Sequence, residues 1–519
     1  MTSISSFSSL SPALPAWAAL APAGLPALPD AATSGTRAPA PSGAATETSA
    51  DTLPSMQPRV TSPLTWEQKS GDAVTSLMTS NYASPSLSGR FQGLGAALLN
   101  RFSNAGGDFS QSVLQSASGA RGATPIALSQ NALHGAAANQ ITLAVQTADG
   151  VTVTLSLGSQ DNGLAVQVKS SGKLRDADRG ALAQLSGAFQ NAIDGIGKVP
   201  PKLDLGGLAQ YDTTLLSSVD LQAQVQTGST PRTLTFHADS AQRAFSSDGP
   251  DGSIKVSVDL IHPASTGGAQ QRSAAIDAYL KQFDQAGSRG NPNPAMLAMF
   301  KDAFQQLNSA APRQGAGKAS TLTDVDHAML TGLADFSASL TDTPGSPNPM
   351  RPGEADTFAY QASQTTSVGG HGPLDRTLSQ KQHTHLDASF HQALTSDAPP
   401  ALDDSKQSQN YDYRQISDDA SGDAEVGYSQ GALAQASLRQ TASQSTRVST
   451  YVMGQLTGQS TTPATATLSR DMLGLLKAAQ QLGGQAPQDG ARRQQALATI
   501  HDTVLLQSDP ARLRSAGTD

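Results

Sequence analysis

Three histidines and an aspartate fall between His383 and His391 in the stretch KQHTHLDASFHQ. His383, His385 and Asp387 alternate, so on a strand their side chains would share one face. Two imidazoles and a carboxylate form a donor set that a cation such as zinc accepts. A second pattern is Gly427-Tyr428-Ser429-Gln430-Gly431, with Asp489 and His501 later in the chain. A serine hydroxyl becomes a nucleophile when a base takes its proton and a third group orients that base. Ser429, His501 and Asp489 would fill those roles. A third group, Asp418, Asp419, Asp423 and Glu425, lacks the spacing of an EF-hand loop and its closing bidentate glutamate.

Each pattern needs elements that present it. The HTHLD run is similar to the H-x-H-x-D-H signature of metallo-β-lactamase-like hydrolases, which implies a metal held by His383, His385 and Asp387 just after a buried strand. Here position 388 is Ala, the preceding PLDRTLSQKQ is polar, and only His391 and His501 lie downstream as further imidazoles. The expectation is a histidine-bearing linker without a resident metal. GYSQG resembles the nucleophile elbow of cutinase-like esterases, and the order Ser, Asp, His is that of α/β-hydrolases. That resemblance implies attack by Ser429 on an ester carbonyl, with His501 as base and Asp489 holding its imidazole. An elbow needs a buried strand before it, yet DDASGDAEV offers one Val. His501 also sits on the apolar seam of a helix with Leu497, Ile500, Val504 and Leu505. A serine esterase is thus the alternative reading, and the main one has no catalytic residues and no cofactor.

Composition points the same way. The chain of 519 residues is 37% hydrophobic and 4% aromatic, with 47 Gly, 30 Pro and no Cys. A net charge of -8 and the lack of any basic stripe argue against nucleic acid as a partner. No apolar run approaches the roughly 20 residues that span a bilayer. Without cysteine there is neither disulfide nor thiolate chemistry.

Alternation identifies a core. Ile141, Leu143 and Val145, then Val151, Val153, Leu155 and Leu157, then Leu164, Val166 and Val168 predict a three-stranded meander. Asp149-Gly150 and Asn162-Gly163 supply its turns. A helix with the stripe Leu182, Leu185, Phe189, Ile193 and Ile196 follows. The order recurs through Val219–Val225, Leu234–Ala238 and Ile254–Leu260, then a helix bearing Ile276, Leu280 and Phe283. Further helices are expected from Asn293, as N-cap, and across 324–340. The fold class read from this is α+β: antiparallel meanders covered by helices, in two βββα-like units over 140–197 and 218–287. The expected organisation is a disordered leader (1–70), a weakly helical segment (71–134), the α+β core (135–340), a disordered linker (341–424) and a mostly helical C-terminal segment (425–519).

The leader MTSISSFSSLSPALPAWAALAPAGLPALPDAATSGT has no Lys or Arg before Arg37, and its apolar stretch is broken by five prolines from Pro12 to Pro29. A Sec signal needs a positive start and an unbroken apolar run. The leader instead resembles the Ser-rich, uncharged leaders of substrates of bacterial type III or flagellar-type export. The expected function is a non-enzymatic bacterial interaction or structural protein with a protein partner, cytoplasmic before export and then secreted.

Overall fold

The alternation that begins near Asn139 runs much further than the large apolar residues reveal. The computed structural model describes residues 64–115, 123–261, 266–310, 322–372, 374–396, 398–482 and 487–517. The leader up to residue 63 therefore lies outside the described residues.

In chain order the elements are β1 (Leu64–Trp66), α1 (Ala73–Asn81), α2 (Leu87–Arg90), α3 (Leu94–Ala105), β2 (Phe109–Gln115) and α4 (Ala123–Gly135). Next come β3 (Asn139–Thr147), β4 (Thr152–Gln160), β5 (Gly163–Ser170), α5 (Asp176–Gln184) and α6 (Ser186–Ile196). They are followed by β6 (Leu216–Thr227), β7 (Thr230–Ala238), β8 (Gln242–Gly249), β9 (Gly252–Asp259), α7 (Ala269–Gly290) and α8 (Pro294–Ser309). After α9 (Asp324–Ala328) the chain turns to long strands: β10 (Phe336–Asp342), β11 (Thr357–Gly372), β12 (Asp375–Ala393), β13 (Tyr411–Ser429), β14 (Ala432–Val452) and β15 (Gln455–Asp471). It closes with α10 (Leu473–Gln481), α11 (Pro487–Val504) and α12 (Pro510–Ala516).

All strands join one open, antiparallel, 15-stranded sheet in the order β1-β2-β5-β4-β3-β6-β7-β8-β9-β10-β11-β12-β13-β14-β15. This corrects the expected fold class. There are not two small units: β3–β5 and β6–β9 are consecutive parts of one sheet, joined where Leu143 pairs with Leu221. The second meander also has a strand more than expected, β8. The helix expected across 324–340 is the short α9 followed by β10. The supposed linker 341–424 holds β11, β12 and most of β13, and β14 and β15 precede the C-terminal helices.

The local chemistry explains the connections. Asn293 Oδ1 accepts from the N–H groups of Ala295 (3.0 Å) and Met296 (3.3 Å) and so caps α8, with Pro294 in its first turn. Two-residue turns join β13 to β14 and β14 to β15. Gln430 and Gly431 have φ of 48° and 79°, and Met453 and Gly454 have φ of 50° and 75°. Positive φ at both central residues is the turn whose twist matches paired strands, and glycine takes it without steric cost.

One face of the sheet carries most of the helices. Cross-strand neighbours on it run Leu143, Leu221, Phe236, Phe245, Val256, Ala338, Ala362, Thr384, Ala420, Ala442 and Ala466. The side chains shrink along this row. Large ones pack against α3, α6, α7 and α8 in the main core. From β11 onward, buried Gln364, Gln380, Gln382 and Gln440 take inward positions in place of aliphatic residues.

These glutamines bind backbone. Gln382 Nε2 donates to Val504 O (3.0 Å), and its Oε1 accepts from Leu506 N–H (3.2 Å) and Tyr279 Oη (3.1 Å). Gln440 donates to Thr503 O (3.1 Å) and accepts from Gln507 N–H (3.2 Å). An irregular stretch after α11 can thus cross the buried face because amide side chains satisfy its polar groups.

Candidate functional site

The serine pattern is not assembled. Ser429 is an exposed residue at the end of β13, entering the turn to β14. Gln430 N–H donates to Asp375 Oδ1 (2.9 Å), and Gly431 N–H donates to Leu374 O (2.8 Å). The element is a hairpin, whereas a nucleophile elbow joins a strand to a helix. His501 is buried on α11 beside Leu497, Ile500 and Val504. Its Nε2 lies 3.0 Å from Thr331 O, an acceptor that requires the proton on that nitrogen. Asp489 stands near the start of the same helix, about 18 Å along the axis at 1.5 Å per residue. It cannot hold the His501 ring.

His383, His385 and Asp387 do share a face, because the segment read as linker is strand β12. That face lies opposite the main helical layer and is open to solvent. Asp419 on β13 stands across from them, with Oδ2 2.9 Å from His383 Nε2 and 3.5 Å from His385 Nδ1. Asp387 sits beside Ser417 and Ala359 instead. Among the described residues no group of three or more His, Asp or Glu is placed to hold a metal. The acidic pattern is likewise divided by the strand's alternation. Asp418 turns inward to an ion pair with Arg289, while Asp419 and Asp423 turn outward.

The larger feature is the open face itself. Thr142, Gln222, Thr235, Ser246, Lys255, Ser339, Gln361, His385, Asp419, Ser443 and Thr465 are successive cross-strand neighbours from β3 to β15. Every one is polar, and hydroxyls and amides predominate. Direct side-chain bonds link such rows: Thr235 Oγ1 to Ser246 Oγ (2.7 Å), Ser257 Oγ to Ser337 Oγ (2.8 Å) and Ser421 Oγ to Thr441 Oγ1 (2.7 Å). His237 bridges two carboxylates there, with Nδ1 2.6 Å from Asp220 and Nε2 3.2 Å from Asp239. The bond to Asp220 raises its pKa above the ordinary histidine value against the opposing effect of partial burial, and Asp239 adds to the rise.

Two patches interrupt the face. At β2, β5 and β4 it is covered by α4, through Leu133 against Leu114 and Ala165. Near the ends of β12–β14 it is covered by the segment between β10 and β11. There the buried His391 ring has Nδ1 2.6 Å from Asp356 Oδ1 and Nε2 3.4 Å from Glu354. Tyr411 Oη donates to Glu354 Oε2 (2.6 Å) and accepts from Asn348 Nδ2 (2.7 Å). Arg351 stacks 4.1 Å over the Tyr451 ring. Burial and the bond to Glu354 push the Tyr411 phenol well above its ordinary pKa. The cluster clamps a loop onto the sheet. Sequence reading missed it because its members come from four separate stretches.

Comparison of the chain with family models, curated proteins and solved structures yields no match. No helix among the described residues is long and apolar enough to cross a membrane.

Proposed function

We propose that this chain is a non-enzymatic bacterial interaction or structural protein that reaches its place of action through type III or flagellar-type export. The observation that carries the reading is the row from Thr142 to Thr465, a polar surface running strand by strand across the sheet. Serine, threonine and glutamine side chains present donors and acceptors in register. Such a surface suits a protein partner that offers polar groups of its own.

The rest of the architecture accords with this. The residues that could act on an ester stand apart, and the histidines of β12 engage a neighbouring carboxylate. From β6 to β15 each strand pairs with its sequence neighbours, so the sheet can assemble progressively once the chain has been threaded. The leader, whose one charged side chain before Arg37 is Asp30, and the absence of cysteine are compatible with passage in an unfolded state.

Two experiments test the reading. A fluorophosphonate probe should leave the protein unlabelled; labelling abolished by Ser429→Ala would establish the esterase instead. Deleting residues 1–36 should abolish secretion in a strain that has the export machinery. Unaltered secretion of that deletion would remove export from the proposal.

A further inference from the structure

The chain beyond α11 is held on the inner face of β12–β15 largely through its backbone. Besides the bonds from Gln382 and Gln440, Gln282 Nε2 on α7 donates to Leu506 O (2.9 Å) and Gln444 Nε2 on β14 donates to Ser508 O (3.2 Å). The buried apolar side chains of this stretch are Leu506, Pro510 and Leu513, and the two leucines pack together on Ala420, Ala442, Ala466 and Leu468. Small residues make the room for them: a Cβ on Gly422 would stand 3.3 Å from Leu506 Cδ1. Main-chain bonds that supply affinity, with spaced apolar sites that supply specificity, are a combination by which proteins recognise peptides.

The segment does not complete this groove. A cavity lined by Gln282, Gln285, Arg289, Gln444 and Ser508 remains beside it, and the buried side-chain oxygen of Gln282 has no hydrogen-bond partner. Ser508 Oγ donates instead to the side chain of Gln285 (3.2 Å). Gln282 is 5% exposed, and an acceptor left alone at that depth favours an occupant that brings it a donor.

We propose that the inner face of β12–β15 is a peptide-binding groove, which residues 503–517 fill in cis and which a segment of another protein takes in trans. The segment it fits begins extended and ends in a short helix, with apolar residues seven positions apart, as Leu506 and Leu513 are. Where Ser508 stands it carries a longer side chain ending in an N–H donor, which meets the Gln282 oxygen. A tethered occupant acts at an effective concentration of about a millimolar, so the cis segment holds the groove against weak competitors. The added contact at Gln282 is what lets a partner displace it. This groove lies on the opposite side of the sheet from the polar open face.

Fluorescence anisotropy on the full chain, with a labelled synthetic peptide of residues 503–517, tests this independently of export and of the open face. Leu506→Asp/Leu513→Asp in the chain weakens the cis segment and leaves the groove intact. That variant should bind the peptide at least about tenfold more tightly than the unsubstituted chain, which must first release its own segment. A peptide with the same two substitutions should not bind. A Ser508→Asn peptide should bind more tightly than the unsubstituted one, and adding Gln282→Leu to the chain should erase that difference. If the doubly substituted chain does not fold, Leu513→Ala alone serves in its place. A folded variant chain that ignores the peptide, or that binds the unsubstituted and doubly substituted peptides alike, overturns the inference. Equal binding of the Ser508→Asn and unsubstituted peptides overturns the donor requirement.

Discussion

Gln382 on β12 and Leu506 beyond α11 are joined by a buried hydrogen bond, with the Leu506 N–H 3.2 Å from the Gln382 side-chain oxygen. The same carboxamide donates to Val504 O at 3.0 Å, so one side chain fixes both sides of a backbone bend. A buried donor or acceptor left without a partner costs about 1–3 kcal/mol.

Gln382→Ala should therefore lower the unfolding free energy by at least about 2 kcal/mol, since it strands two backbone groups and the Tyr279 hydroxyl. Urea denaturation measures this. A loss below about 0.5 kcal/mol, the range of ordinary surface changes, would mean the segment is held otherwise.

Asp326 is fully buried and ion-paired with Arg376, and it also accepts from Tyr428 Oη (2.8 Å) and Thr323 N–H (2.7 Å). Removing one partner of such a pair typically costs about 3–5 kcal/mol, because the other charge stays buried. Arg376→Met should fall in that range. Adding Asp326→Asn should restore part of the loss. If the double variant proves no more stable than Arg376→Met, the stranded charge is not the source of the cost.

His501 and Ser429 should respond differently to alanine. His501→Ala opens a gap under α11 and leaves Thr331 O without its donor, which costs about 1–3 kcal/mol. Ser429→Ala, at an exposed turn, should change stability by less than about 0.5 kcal/mol. Thermal melts of both variants check the contrast, and equal effects would contradict the placement of these residues.

The open face should respond to pH through His237. Its folded pKa is raised above the unfolded value of about 6.5. Its stabilisation is therefore fully present below about pH 6.5 and is lost as pH rises through the folded pKa. Asp220→Asn removes the main cause. The stability gap between the native chain and this variant should be widest near pH 6 and narrow markedly by about pH 9. A gap of constant size over that range would exclude the linkage.

How much was legible depended on side-chain size. Strands β3–β5, β6, β7 and β9 announced themselves because their inward positions are Ile, Val, Leu and Phe, the residues that mark a half-buried strand. On β12 the inward sequence is Leu378, Gln380, Gln382, Thr384, Leu386 and Ala388. The period of two is still there, but Gln and Ala do not mark a strand and Thr384, the one strand-favouring residue among the polar ones, is not apolar, so the segment read as linker. Gln430-Gly431 and Met453-Gly454 were the available signal, each a two-residue turn between long alternating stretches. GYSQG attracted attention as an elbow when its glycine was serving a hairpin.

By itself the sequence determined the alternating core and the cap at Asn293, but it found no strand to present His383, His385 and Asp387, and β12 is that strand. The tertiary structure decided what the small inward residues were for. A Cβ placed on Gly290 would come within 2.7 Å of the Phe358 ring, and the chain after α11 lies directly on Gln382 and Gln440. Where backbone approaches a sheet this closely, bulky side chains cannot fit, and alanine, threonine or an amide that bonds the backbone takes their place. That requirement comes from segments over 100 residues away, as the 122 positions between Gln382 and Val504 show. Local periodicity could not convey it.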